Sequence, residues 1–316
     1  MNTTFITQLV LGMLLLFQVY NYGNDIIVNR KRLNDGNRSP AVTGLIGFTT
    51  NFFDTLGIGS YAPTTMLLKL TKSLKNDKLL PGTLNVGCAI PVMTEAFMYI
   101  KTVEVDGTTL LSMVFAAMLG SFIGAKVVAR LDEKKIQVVM GSALAITAIL
   151  MILSATGVTT KLGAHNVATG FYGWKLGVAC GVNFILGALM TAGIGLYAPC
   201  LALVYLLGLN PLVAFPIMMS SSASVMPIAA WEFIKKGDYA RVPAISITIC
   251  GCVGVFIAIT FVKRLDLTIL MWLVICVMIY TSILMLVEGI RKFRITEQIT
   301  WGLIESGNDN DCNVTF

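Results

Sequence analysis

The phrase Gly57-Ile58-Gly59-Ser60-Tyr61-Ala62-Pro63 returns as Gly193-Ile194-Gly195-Leu196-Tyr197-Ala198-Pro199, 136 positions further along the chain. Both copies lie inside long apolar stretches, where two glycines and a proline within seven residues interrupt any helix that runs through them. A second match supports duplication: Arg130-Leu131-Asp132 closes one apolar run, and Arg264-Leu265-Asp266 closes the equivalent run 134 positions later. The sequence is therefore expected to fold as two related units, each built around a broken helix.

The solvent for these units follows from composition. With 56% hydrophobic and 13% charged residues and a mean hydropathy of +0.79, 316 residues carry more apolar surface than one soluble core can hide. An all-α integral membrane protein is expected. The net charge of +6 does not point to nucleic acid, because Lys and Arg fall in short clusters between apolar runs, as topology signals do. Six cysteines lie in apolar runs and Cys312 in the polar tail, without the spacing of a disulfide framework or a zinc site, so no metal or cofactor is expected.

Residues 1–40 read as an N-terminal transmembrane helix, centred on the uncharged run 5–20, followed by a basic cytoplasmic linker with Arg30, Lys31, Arg32 and Arg38. The first repeat spans 41–156. Its apolar segment from Ala41 to about Leu70 is too long for one crossing of about 20 residues, and the break at Gly57 to Pro63 divides it into half-length helices. Runs at 81–101, 107–130 and 136–156 follow. A loop at 157–174 leads to the second repeat, 175–290, with a broken segment at 176–208 and runs at 211–234, 242–263 and 267–289. Residues 291–316 read as a polar cytoplasmic tail expected to be disordered.

Positive charge discriminates between topologies. If each broken segment crosses the bilayer, 13 Lys and Arg lie inside against 10 outside; if each dips in and returns, the division is 18 against 5. The re-entrant arrangement also explains why Lys69, Lys72, Lys75 and Lys78 have no counterparts from Tyr205 to Ala214. The expected architecture is an inverted repeat of two units, each a re-entrant helix hairpin plus three transmembrane helices, with one extra helix at the N-terminus.

The paired Gly-x-Gly-x-Tyr-Ala-Pro turns, each followed by an apolar run and an Arg-Leu-Asp helix end, resemble the TauE/SafE family of sulfite-exporter-like permeases over roughly residues 40–290. The resemblance implies a multi-helix permease with two related halves, associated with sulfite, sulfonates and other small sulfur-containing anions.

Hairpins that enter from opposite faces bring their turns together, and half-helices starting near Pro63 and Pro199 aim backbone N–H groups and positive dipole ends at one point. Gly57, Gly59, Gly193 and Gly195 let the backbone approach an anion closely, and Asn51, Ser60, Tyr61, Thr64 and Tyr197 offer donors. Cys200, directly after Pro199, is a thiol beside that site. Glycines and hydroxyl residues also serve tight helix packing, which is the competing use. Ser220, Ser221, Ser222 and Ser224 divide in the same way between a polar path and helix contacts.

Asp54 and Glu95 are acids inside apolar segments, where a charge costs at least about 2.5 kcal/mol on insertion scales and is functional by default. Proton coupling is the expected role, asymmetric because Met190 stands where the second repeat would need an acid; an acid at the membrane edge, hydrogen-bonded or snorkelled to water, is the competing reading, above all for Glu95 close to Lys101. The lone His165 sits in the inter-repeat loop and completes no catalytic arrangement. The expected function is secondary transport of a small sulfur-containing anion across the cell membrane, the ligand and the lipid bilayer being the partners. A carboxylate substrate, an anion channel on the same fold and an intramembrane enzyme using Asp54 and Glu95 are the alternatives, and assembly into homo-oligomers is left open.

Overall fold

The computed structural model describes residues 3–30, 39–76, 79–128, 168–191, 195–262 and 279–291, with single helical positions between 138 and 156 and between 272 and 276. The Arg-Leu-Asp helix ends, Gly193, His165 and the tail at 295–316 lie outside the described residues. What is described is helical: α1 (Thr3–Val28), α2 (Pro40–Thr55), α3 (Tyr61–Leu70), α4 (Leu80–Gly87), α5 (Ala89–Thr102), α6 (Gly107–Val128), α7 (Trp174–Thr191), α8 (Tyr197–Leu206), α9 (Ala214–Lys236) and α10 (Arg241–Val262). Thr3–Val28, Leu80–Thr102, Pro211–Lys236 and Arg241–Phe261 are long and apolar enough to cross a membrane.

Both broken segments break where the repeated phrase falls. In the first repeat, Gly57 and Gly59 take φ of +94° and +85° between α2 and α3, a region closed to most L-residues. The second repeat resumes its helix at Tyr197, the residue equivalent to Tyr61. The short helices α3 and α8 also end alike. Lys72 N–H donates to the Lys69 carbonyl and Ser73 N–H to that of Leu68; 136 residues on, Gly208 donates to Tyr205 and Leu209 to Val204. This C-terminal cap requires a left-handed residue, supplied by Gly208 at φ +96° and by Lys72 at +49°. At 10 residues each, α3 and α8 are about 15 Å long, half the roughly 30 Å hydrocarbon thickness.

The repeats are interlocked. The first half of each broken segment packs on the run at 107–130 or 242–263 of the other repeat, α2 on α10 and α7 on α6, while α5 packs on α9 between them. The two interfaces use equivalent residues. A methyl group at Gly254 would overlap the Phe48 carbonyl oxygen, and one at Gly120 would overlap that of Phe184. Gly120 and Gly254 are repeat partners 134 apart, and Phe48 and Phe184 are partners 136 apart. Helices in lipid gain little from excluding water, so such backbone contact, available only to glycine, holds them together.

Two elements differ from the sequence expectation. The run expected at 81–101 bends at Cys88 between α4 and α5, because Pro91 has no N–H to donate to the preceding turn and its ring crowds the carbonyl four residues back. The linker expected from residue 21 instead continues α1 to Val28. Thr7, Leu11, Gln18 and Tyr22 form its buried stripe, while Phe5, Met13, Leu16 and Tyr20 are exposed on the outer side. Asp25 docks its end: it accepts from Arg241 Nε at 2.8 Å and Nη2 at 3.2 Å, and from the Tyr239 hydroxyl. Burial, together with the bond to Asp25, pushes the Tyr239 phenol well up, so it remains a donor.

Gly120→Val and Gly254→Val should each destabilise the fold by about 1–3 kcal/mol or more through forced separation of a helix pair. Thermal unfolding in detergent should show comparable losses in melting temperature for the two, since they occupy equivalent contacts.

Candidate functional site

The two turns meet. Ile58, Gly59, Ser60 and Tyr61 from the first, and Gly195, Leu196, Tyr197 and Ala198 from the second, line one cavity of about 120 Å³. Asp54 from the end of α2, Met190 from the equivalent turn of α7, Ser222 and Met226 from α9, and Thr281, Leu284, Met285 and Glu288 from the last helical segment complete it. No Lys, Arg or His is among these lining residues.

The chain breaks contribute backbone donors to the cavity. Neither α3 nor α8 has a side-chain cap at its N-terminus. Pro63 and Pro199 are each the third residue of their helix, so the donors remaining in each first turn are the N–H groups of the first two residues. No atom stands within 4 Å of where a side chain at Gly59 or Gly195 would begin, so both present bare backbone to open space. Gly57 packs instead toward Phe215 and Met218.

Asp54 is 1% exposed, and neither of its carboxylate oxygens makes a hydrogen bond. The Ser60 hydroxyl and N–H and the Tyr197 hydroxyl are the polar groups that act on it. Ser222 is fully buried with an unpartnered hydroxyl. A buried polar atom without a partner costs about 1–3 kcal/mol, and here two such groups point at one cavity. The other serines have different settings: Asn183 donates to Ser221 at 2.9 Å, Ser224 donates to the Ser221 carbonyl, and unpartnered Ser220 does not line the cavity.

Of the residues expected at the site, Gly59, Ser60, Tyr61, Gly195, Tyr197 and Asp54 line the cavity, while Asn51, Gly57, Pro63, Thr64, Pro199 and Cys200 do not. Several of the latter support it. Thr64 of α3 donates to Thr50 of α2 at 2.9 Å, and Asn51 donates to the Gly47 carbonyl at 2.7 Å. Tyr61, itself in the lining, donates to Asn85 at 2.8 Å. Cys88 and Cys200 are fully buried.

Glu95 is fully buried and lies behind the cavity, far from the hydrated setting that proximity to Lys101 would suggest. Its Oε1 is 3.0 Å from Thr55 Oγ1, and its Oε2 accepts from the Tyr197 hydroxyl at 3.3 Å. One turn on, Tyr99 donates to the Thr55 carbonyl at 2.6 Å and stacks on Phe215 of α9. Glu95 thus ties the end of α2 to the start of α8. Glu288, which also lines the cavity, is marked in the sequence by being an acid within the last apolar run.

A helical membrane protein with broken helices converging on a small polar cavity has the architecture of a permease. Residues 1–151 match the family model described as Sulfite exporter TauE/SafE. The match includes α1, which the resemblance read from the residues left out, and covers nearly all of the first repeat. No curated protein and no solved structure matches the chain.

Because Gly195 has open space before it, Gly195→Val should fold as the parent does yet put bulk where the backbone meets a ligand. The loss of one helix terminus, about 0.3–2 kcal/mol, corresponds to a roughly 2- to 30-fold weaker Kd for sulfite or methanesulfonate by calorimetry. Unchanged melting temperature and unchanged affinity together would place the ligand elsewhere.

Proposed function

We propose that this protein is a secondary transporter that carries a small sulfur-containing oxyanion, sulfite or an organosulfonate, across the cell membrane together with a proton. The observation that carries this reading is the convergence of two side-chain-uncapped half-helix N-termini and the unpartnered carboxyl group of Asp54 on one cavity. The N-termini supply partial positive charge to an anion without any Lys or Arg. A volume of about 120 Å³ is well below the roughly 300–1,000 Å³ of sites for drug-sized ligands, which favours a compact substrate.

Asp54 supplies the coupling. An oxyanion and an ionised carboxylate repel each other in a dry cavity, so the anion binds favourably when Asp54 holds a proton and leaves when the proton does. Alternation requires the site to open first to one side and then to the other. The interlocked repeats fit an inverted pair, with residues 30–38 and 69–78 both cytoplasmic, and two half-helices of half-bilayer length fit re-entry from opposite faces. The family match over residues 1–151 supports a transporter and not an intramembrane enzyme. Glu95 behind the cavity and Asp54 within it do not present two carboxyls to one substrate.

Proteoliposomes should accumulate labelled sulfite or methanesulfonate when a pH gradient is imposed, with saturable rates. Asp54→Asn should abolish accumulation against a concentration gradient while leaving binding measurable. Non-saturable flux unaffected by the pH gradient would instead describe a channel.

A further inference from the structure

The hydrogen bonds around Glu95 assign it a state different from that of Asp54. Thr55 Oγ1 stands 3.0 Å from Glu95 Oε1 and 2.9 Å from the Asn51 carbonyl oxygen. A hydroxyl has one hydrogen to donate, and a carbonyl oxygen can only accept. If Glu95 were a carboxylate, two acceptors would compete for one hydrogen within a fully buried cluster. If Glu95 Oε1 carries a proton, every contact is satisfied: Oε1–H donates to Thr55, Thr55 donates to Asn51, and Oε2 accepts from Tyr197.

We infer that Glu95 is a permanently neutral carboxylic acid that positions Thr55 and Tyr197, so that of these two acids Asp54 is the one that exchanges a proton during transport. The remaining titratable groups facing Glu95 agree with this. They are Asp54 on α2, Cys88 between α4 and α5, Tyr99 on α5, Tyr197 on α8 and Cys252 on α10, with no Lys or Arg among the described residues to balance a negative charge. Burial strongly disfavours a carboxylate that no positive charge balances. Asp54 differs by lining the cavity, where a proton can enter and leave with the substrate. Glu95 is therefore a positioning residue: it fixes the Tyr197 hydroxyl, which lines the cavity beside Asp54.

The inference uses the transport reading only in giving Asp54 its role, and the test separates the two. Infrared spectroscopy of the detergent-solubilised parent at neutral pH should show the C=O stretch of a buried protonated carboxylic acid that persists as the pH is raised to mildly alkaline values. The band should remain in Asp54→Asn and disappear in Glu95→Gln. The Gln side chain reproduces the neutral acid, with its N–H₂ donating to Thr55 and its oxygen accepting from Tyr197. Glu95→Gln should therefore keep the parent's melting temperature and, in proteoliposomes, its pH-driven accumulation, whereas Glu95→Ala should lose both. The absence of the band from the parent, its survival in Glu95→Gln, failure of Glu95→Gln to fold, or loss of coupling in a folded Glu95→Gln would each overturn the assignment. If the parent transports nothing but the band behaves as stated, the transport reading fails and the neutral Glu95 stands.

Discussion

A helix that breaks inside apolar surroundings leaves backbone carbonyls unpaired where it stops and N–H groups unpaired where it restarts, with neither water nor lipid to satisfy them, and that constraint organises this protein. One helix stops in this way at Thr55, and two restart, at Tyr61 and Tyr197. Bringing the restarts to one cavity gives both sets of donors a shared polar space instead of two separate defects. The rest of the fold holds that meeting in place. The α2–α10 and α6–α7 pairs fix the incoming halves through backbone contact at Gly254 and Gly120, and the caps at Lys72 and Gly208 close the outgoing halves.

The scaffold is symmetric where it packs and asymmetric where it acts. Phe48 and Phe184, Gly120 and Gly254, and the two C-terminal caps are equivalent pairs in equivalent contacts. At the cavity the equivalence ends: Met190 stands at the position equivalent to Asp54, and Glu95 of the first repeat takes its hydrogen bond from Tyr197 of the second. The acid beside the turns comes from the first repeat alone, and Glu288, the other acid of the lining, comes from the last helical segment. The repeated phrase supplies the paired half-helices, and a few side chains that differ between the repeats set the cavity's chemistry.

Much of this was legible because glycine and proline act locally. The breaks at 57–63 and 193–199 follow from residue type alone, and Pro91 equally foretold the bend at Cys88, although the run around it reads as one apolar span. Features that depend on distant partners were not legible. Asn21, Asn24 and Asp25 read as linker because hydropathy registers their polarity and not Arg241 and Tyr239, more than 200 positions away, which make α1 continue to Val28. The choice of Ser222 among four serines depends on which way α9 turns each hydroxyl. Glu95 near Lys101 suggested the membrane edge, and only the arrival of Tyr197 from the other repeat shows it to be interior.

The central claim is that the paired turns together form the anion site, and locating an anion directly tests it. A crystal structure with 2-bromoethanesulfonate, phased at the bromine absorption edge, should place the anomalous peak in the cavity, with the sulfonate between Gly59–Tyr61 and Gly195–Ala198 and within reach of Ser222. A bound sulfonate elsewhere, with the cavity between the turns holding none, would contradict the account.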